Sequence, residues 1–490
     1  MKTFFLDEHG CSKNQVDAEI LISRLQKLGM KKVLQPEDAE LIVINTCGFI
    51  ESAKKESLDA LMDARAAYPN SKILFSGCLA ERYAEMFATD LPEADAIFGN
   101  GDLTKIDDVI HALNNGERPI IKTPQEGVCC GERNELLNFP GSAYIKITEG
   151  CNNCCSFCAI PVIRGELRSR PVNEIVDEIK GLLKRGVFEF NLIGQDLAAY
   201  GRDGVKRGAT GDSIFLEEPS PLKLLLKNIS AIEGDFWVRL LYIHPDHFPK
   251  DILPVIKADH RILHYFDIPF QSGDNDVIRS MNRVGTAKGY SNLVKLLRSE
   301  LAEPTSLCVR PKLGAAIRTT FLCGFPGETE EAAKNTQAFL QEIEPDWSGC
   351  FTYSLEEDTV AYTMPNPVPE AIANERAEKL RELQTKITTD RLKRHIGKEY
   401  RVLIEEIILA HSKDAIDDDG NELKVPDDKQ SEEGLAIGRA WFQAPDVDGA
   451  CVVRYALENP KEVAAIVPGK TVTVRVVAVS GVDLDTILLA

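Results

Sequence analysis

Along the first 115 residues, short apolar runs alternate with amphipathic stretches. Residues 3–6, 41–45 and 73–75 read as strands. Apolar positions recurring every three to four residues predict helices over about 14–28, from about 51 and from about 80. Repeated strand–helix units imply a parallel sheet. The Gly/Pro-rich stretch at 116–141 reads as a linker. A second series follows, with strand-like runs at 143–148, 188–193, 238–243, 265–268, 319–323 and 350–353 and helical patterns between them, for example 173–185 and 330–342. Six such units suit a partial (βα)6, TIM-like barrel, whose site lies at the C-terminal strand ends. A Glu/Lys/Arg-rich helix at 369–395 reads as a solvated connector. Beyond it, β-branched runs at 400–404, 451–454 and 471–479 predict a small antiparallel β-barrel. The polar stretches 202–219 and 303–314, and the acidic 414–433, read as surface loops. The expected fold is therefore α/β: a parallel α/β domain at 1–115, a linker at 116–141, the barrel at 142–375, a connecting helix at 376–395 and the β-barrel at 396–490.

Chemistry enters with one loop, Cys151-Asn152-Asn153-Cys154-Cys155-Ser156-Phe157-Cys158, directly after the first strand of the second series. The spacing Cys151-x3-Cys155-x2-Cys158 offers three thiolates, which can hold three irons of a four-iron cluster and leave the fourth open to a cofactor. A bacterial ferredoxin run fails, because it needs C-x2-C-x2-C and position 157 is Phe. A zinc site on the pairs Cys151/Cys154 and Cys155/Cys158 competes, but no loop separates the pairs to fold a zinc ribbon. Cys154 could replace Cys155 as a ligand, and spacing alone leaves that open. In the first domain Cys11, Cys47 and Cys78 each follow one strand. Loops after strand ends converge on one crevice in an open α/β sheet, so three cysteines far apart in sequence would meet there and suit a second three-thiolate cluster; three unrelated buried cysteines are the alternative. No G-x-G-x-x-G opens a helix in this region, against a dinucleotide site. Cys129-Cys130 receives no role, a redox pair being the sharper alternative to free thiols.

Composition narrows the partners. The chain has 490 residues and carries 57 Lys and Arg against 76 Asp and Glu, a net charge of −19. That argues against broad nucleic-acid binding and favours a basic partner. The last segment, 396–490, has 10 basic against 18 acidic residues, a net of −8. Such a barrel would repel tRNA, whose phosphates need Lys and Arg, and attract a basic protein. No apolar run reaches 18 residues, so no membrane span is expected. Asp7-Glu8 interrupts the start before a leader could form, and 13 cysteines without a leader point to metal or redox chemistry in the cytoplasm.

The C-x3-C-x-aromatic-C pattern resembles the radical S-adenosylmethionine (SAM) enzymes, with Phe157 in the aromatic slot, where the resemblance implies packing by adenine. Gly10-Cys11-Ser12-Lys13-Asn14, Asn45-Thr46-Cys47-Gly48-Phe49-Ile50 and Gly77-Cys78-Leu79-Ala80-Glu81-Arg82-Tyr83, followed by that loop, resemble the radical SAM methylthiotransferases. So do Glu149-Gly150-Cys151, Ala159-Ile160-Pro161, Arg168-Ser169-Arg170-Pro171, Tyr265-Phe266-Asp267-Ile268-Pro269 and Gly324-Phe325-Pro326-Gly327-Glu328-Thr329. Gly438-Arg439 and Ala444-Pro445-Asp446-Val447-Asp448-Gly449 resemble the TRAM barrel of the RimO-like branch. The resemblance implies an enzyme that adds a methylthio group to the β-carbon of an aspartate in ribosomal protein S-twelve, free or in the small subunit. It implies two [4Fe-4S] clusters as metal sites, one on Cys151, Cys155 and Cys158 that cleaves SAM to a radical, and one on Cys11, Cys47 and Cys78 that presents sulfur. A second SAM would supply the methyl group, and a reductant such as flavodoxin or ferredoxin the electrons. Around SAM it implies Phe157, Gln195 (in Gly194-Gln195-Asp196, where the family has Gly-Gly-Glu), Gly324, Gly327 and Glu328, with Arg164, Arg168 or Arg170 on the carboxylate or bridging two domains. His244, ending the third barrel strand, reads as structural. Other readings are a tRNA-adenosine (MiaB-like) methylthiotransferase and a non-catalytic iron–sulfur electron carrier.

Overall fold

The structure, a computed structural model, describes residues 1–123, 128, 131–205, 219–301, 314–408 and 433–489. Cys129, Cys130 and most of the three expected surface loops lie outside the described residues.

The N-terminal part comprises β1 (Thr3–Glu8), α1 (Ser12–Lys27), β2 (Lys31–Lys32), β3 (Leu41–Thr46), α2 (Glu51–Ala67), β4 (Lys72–Gly77), α3 (Cys78–Asp90), β5 (Ala96–Phe98), α4 (Ile106–Asn114) and β6 (Ile120–Ile121). Its sheet runs β2-β1-β3-β4-β5-β6, all parallel. Every residue of β3, Leu-Ile-Val-Ile-Asn-Thr, is buried, as expected of a central parallel strand covered by helices on both faces. Strands β2, β5 and β6 are too short to carry a periodic signal, and β6 takes two residues of the expected linker into the sheet.

The second part begins with β7 (Ser142–Lys146) and continues through β8 (Thr148–Glu149), α5 (Ile160–Arg164), β9 (Arg168–Ser169), α6 (Val172–Lys184), β10 (Glu189–Ile193), α7 (Pro221–Ser230), β11 (Trp237–Leu240), α8 (Leu253–Ala258), β12 (Ile262–Asp267), α9 (Asn275–Ser280), α10 (Ala287–Glu300), β13 (Ala316–Cys323), α11 (Glu330–Ile343), β14 (Trp347–Thr352) and α12 (Glu370–Leu392). Six parallel strands run in chain order from β7 to β14, and among the described residues the two edges do not pair. Side chains capping helix starts place the helices: Ser220 accepts from Lys223, Thr286 from Gly289 and Thr329 from Ala332. The connector reading of α12 is corrected. Ala373, Ala377, Leu380 and Leu392 are buried, and the helix packs on β13, β14 and α11 because its charges leave a narrow apolar stripe free.

The last part is a closed barrel of β15 (Glu399–Ile408), β16 (Glu433–Arg439), β17 (Cys451–Ala456), β18 (Thr471–Ser480) and β19 (Asp483–Leu488), with α13 (Pro460–Ala465) between β17 and β18. It is not wholly antiparallel: β17 and β19 pair in parallel, because β18 crosses over to lie on β15.

The loop after β16 plugs the lumen of the second part. Glu189, fully buried on β10, receives Arg239 at 2.8 Å and Arg439 at 2.6 Å. Tyr144 donates to Asp446 at 2.7 Å, Tyr265 to Asp448 at 2.6 Å and Trp347 to the Phe442 carbonyl at 2.7 Å. Not all of the acidic charge on this last part is therefore free surface charge: Glu405 and Asp448 are held inside this contact, while Asp446 stays exposed and accepts from Tyr144. Beside it, burial pushes His395 down to about 3 and His264 down to about 4. A histidine kept neutral by folding contributes stability above its ordinary value near 6.5 and loses it as pH falls through that value toward its folded one. The unfolding free energy is thus expected to drop as pH falls below 6.5, by roughly 5 kcal/mol for His395 across its full window. A urea series read by Trp441 and Phe442 packing checks this, and H395Q should flatten the slope.

Candidate functional site

Because β1, β3 and β4 are neighbours in the sheet, the segments after them meet. Cys11 precedes α1, Cys47 follows β3 and Cys78 opens α3. Local chemistry draws them close. Asn14 donates to the His9 carbonyl at 2.5 Å and to the Thr46 carbonyl at 3.3 Å, and Asn45 donates back to the Asn14 carbonyl at 2.9 Å. Gly48 lets its loop reach α3, where a Cβ would stand 2.8 Å from the Leu79 Cα. Gly77, at φ 101°, turns from β4 into α3 where a Cβ would meet the Thr46 carbonyl at 2.7 Å. The three thiols grade from exposed Cys11 to buried Cys78. Burial, with the charges of Cys78 and Cys11, pushes Cys47 up to about 12; burial also raises Cys78, against the pull of Arg164.

The second set lies on the loop after β8. Gly150, at φ 71°, passes so close to the Glu166 carbonyl that only glycine fits. Cys151 donates its N–H to the Gly165 carbonyl at 3.1 Å, and Cys158 to that of Cys155 at 3.0 Å. Burial and the charge of Cys155 push Cys158 up to about 12, and burial with Asp196 and Cys158 raises Cys151. Cys154 stands apart: exposed, at φ 51°, with its Sγ 3.4 Å from the Asn152 carbonyl. Among the described residues, no three His, Cys, Asp or Glu side chains are grouped as ligands of a single ion. A four-iron cluster is a cube several bonds across, so its ligands stand farther apart than those of one ion. The donor chemistry fits it: each set is three thiols, and burial disfavours the thiolates of Cys47, Cys78, Cys151 and Cys158 unless a metal's positive charge compensates.

Residues expected around SAM fare unevenly. Phe157 packs in a cluster with Val277, Met281 and Phe325. Gln195 is half-buried. Its neighbour Asp196 carries the contacts instead: it accepts from Asn153 at 2.7 Å, His247 at 2.5 Å and the His244 N–H at 3.1 Å. Burial works to raise Asp196, but His247 and Asn153 hold it well below the usual carboxylate range. Glu328 is buried, accepting from the Gly324 N–H and lying 3.7 Å from Arg376 of α12. Gly324, at φ 79°, packs closely on α12, where a Cβ would stand 2.3 Å from the Ala373 Cβ. Gly327, at φ 82°, borders open space. Arg168 donates to the Arg164 and Glu166 carbonyls, closing its own loop. Arg170 is tied to Glu178 at 2.6 Å and the Lys146 carbonyl at 2.9 Å.

Several functional candidates carried no signal in sequence. His244, read as structural, places Nε2 3.8 Å from the Cys155 Sγ and stacks on His247 with centroids 4.9 Å apart. Arg283 lies against Cys155 and 5.9 Å from the Phe157 ring centroid. Asp17, Lys146, Glu149 and Arg164 form a buried network between the two thiol sets. The pair Lys146 and Glu149, three residues apart just before Cys151, was its one visible trace.

Family models match in three places: the uncharacterized protein family UPF0004 over residues 3–99, the radical SAM superfamily over 145–340 and the TRAM domain over 420–486. The ribosomal protein uS12 methylthiotransferase RimO of Treponema denticola is 50% identical, covering 98% of this chain and all of that one. Those of Aquifex aeolicus and Syntrophomonas wolfei are 36% and 35% identical, each over 97% of this chain and 94% and 97% of theirs. Among solved structures, the radical SAM methyltransferase TsrM of Kitasatospora setae matches with a TM-score of 0.53 at 13% identity, over 79% of this chain and 89% of that one, a likeness of fold. With half its residues shared with a RimO over essentially the whole length, and the radical SAM and TRAM models both matching within it, the chain belongs to the ribosomal protein uS12 methylthiotransferase family of the radical SAM superfamily.

Proposed function

We propose that the chain adds a methylthio group to the β-carbon of an aspartate in ribosomal protein uS12, taking electrons from a reductant such as flavodoxin or ferredoxin. The observation that carries this reading is the presence of two separate three-thiol sets, joined by one buried ion-pair network, in a chain of this family. Family membership brings a [4Fe-4S] cluster and SAM. Cys151, Cys155 and Cys158 would hold that cluster, and Cys11, Cys47 and Cys78 a second. When bound, these groups supply the radical that breaks an unactivated C–H bond, the sulfur and the methyl group, since no side-chain acid or base can take a hydrogen from such a carbon.

The chain's own residues do the rest. Asp196 fixes the cysteine loop through Asn153 and the strand-end histidines through His247 and the His244 backbone. Arg283 and His244 place donors beside the Cys155 sulfur, compensating its charge. Phe157, packed with Phe325, offers an aromatic face at the end of the loop. The described residues include no helix long and apolar enough to cross a membrane.

The test is turnover with both cluster sites reconstituted without oxygen, in the presence of SAM, reductant and sulfide. Protein uS12 and unmodified tRNA are offered in parallel, and mass spectrometry seeks a methylthio group replacing hydrogen. Modified uS12 with untouched tRNA is the expected result; modified tRNA would overturn the substrate assignment.

A further inference from the structure

Arg164 is the last residue of α5, six positions after Cys158, yet its side chain reaches into the other thiol set. Its Nη2 lies 3.1 Å from the Cys78 Sγ and 3.0 Å from Asp17 Oδ2; its Nη1 lies 2.7 Å from Glu149 Oε1. Lys146 completes the network, bonded to Asp17 and, at 2.7 Å, to Glu149 Oε2. Arg164 and Asp17 are 2% exposed, Lys146 1% and Glu149 4%. Two cations and two carboxylates cancel, so a Cys78 thiolate adds one uncompensated negative charge. The cation with a donor directed at that sulfur is Arg164; Asn100 gives a second, neutral donor at 3.4 Å. The backbone reaches the opposite way: Gly165, the next residue, accepts the Cys151 N–H at 3.1 Å. Ala159 and Ile163 of the same segment pack directly on Cys78. One short stretch thus touches a thiol of the first set with its side chain and a thiol-bearing residue of the second with its backbone.

We propose that Arg164 is a positioning residue for both metal sites: its guanidinium raises the reduction potential of the N-terminal cluster through the Cys78 sulfur and sets that cluster's place relative to the barrel cluster. This rests on the reading that Cys11, Cys47 and Cys78 hold a second cluster. Reduction adds one electron, hence one negative charge, and a buried cation bonded to a ligand sulfur favours the more negative state. Removing it also leaves Asp17 and Glu149 to share Lys146, adding negative charge nearby. A fork with separate donors for Cys78, Asp17 and Glu149 fixes direction as well as charge, which a lysine cannot do.

The experiment is a redox titration of the doubly loaded protein followed by electron paramagnetic resonance, with the barrel cluster as internal reference. Arg164→Gln is expected to move the N-terminal midpoint to more negative potential and the barrel midpoint much less. Arg164→Lys should recover part of the shift. In turnover, SAM cleaved per methylthio product should rise several-fold in Arg164→Gln, because the sulfur no longer faces the radical site. If Arg164→Gln does not load the N-terminal cluster, Arg164→Lys alone must still show a smaller downward shift. An unmoved N-terminal midpoint in a fully loaded variant overturns the inference. A native protein that loads a single cluster overturns the two-cluster reading first, and this inference with it.

Discussion

Cys155→Ala is expected to lose about four irons per chain, to cleave no SAM and to make no product, whereas Cys78→Ala is expected to lose a similar amount of iron, still cleave SAM, and make no methylthio product. The asymmetry follows from where each thiol sits. Cys155 is on the loop at the C-terminal mouth of the barrel strands, against His244 and Arg283. Cys78 opens a helix of the other part, tied to the barrel through Arg164. Losing one of three thiolates leaves a cluster with two unprotected irons, and it falls apart. Iron and sulfide analysis, chromatography of 5′-deoxyadenosine and mass spectrometry of uS12 separate the outcomes. If Cys78→Ala kept full product formation, the N-terminal thiols would have no part in the chemistry. If Cys155→Ala still cleaved SAM, Cys154 would be a ligand in its place.

Glu189→Ala is expected to lower stability by about 3–5 kcal/mol, the usual cost of removing one partner from a buried ion network. Glu189 is fully buried and holds Arg239 from β11 and Arg439 from β16, while Ser142 and Asn191 donate to it from neighbouring positions. Burial works to raise its carboxyl, but Arg439 and Arg239 hold it below the usual carboxylate range. Its contribution is therefore fully present above the ordinary value near 4.5 and declines only as pH falls toward the depressed one. The alanine would leave Arg239 without its ion-pair partner and Arg439 with Glu405 alone. The chain's three tryptophans, Trp237, Trp347 and Trp441, all lie buried beside this contact, so their fluorescence reports its opening. An unfolding midpoint within about 1 kcal/mol of the native protein's would show that the lumen network is not what holds the last barrel in place.

The cysteine spacings and the alternation of strands and helices were legible because both are local. Three thiols in eight residues have to lie on one loop, and a period-two or 3.6-residue pattern sets an element without reference to distant chain. The convergence of Cys11, Cys47 and Cys78 was legible one step further, since strand ends of a parallel sheet share an edge. Short strands such as β5 and β6 were not, because two or three residues carry no period. Glu328 and Gly324 show another limit: the packing of α12 against their turn joins residues some 50 positions apart, which no local pattern announces.

By itself, then, the sequence determined the order of the three parts, the two thiol sets and the family resemblance that the comparisons bear out. Only the tertiary structure decided which charges do what. Asp446 and Asp448 look like unpaired surface acid in sequence, but they meet Tyr144 and Tyr265 across some 180 residues or more, Asp448 with its side chain fully buried. Arg164 could equally have faced a cofactor; the docking of α1 and α3 on the barrel turns it to Asp17 and Cys78. A charge buried in a protein must find its partner wherever the packed elements bring one, and that pairing is set by how separate domains meet rather than by any neighbour along the chain.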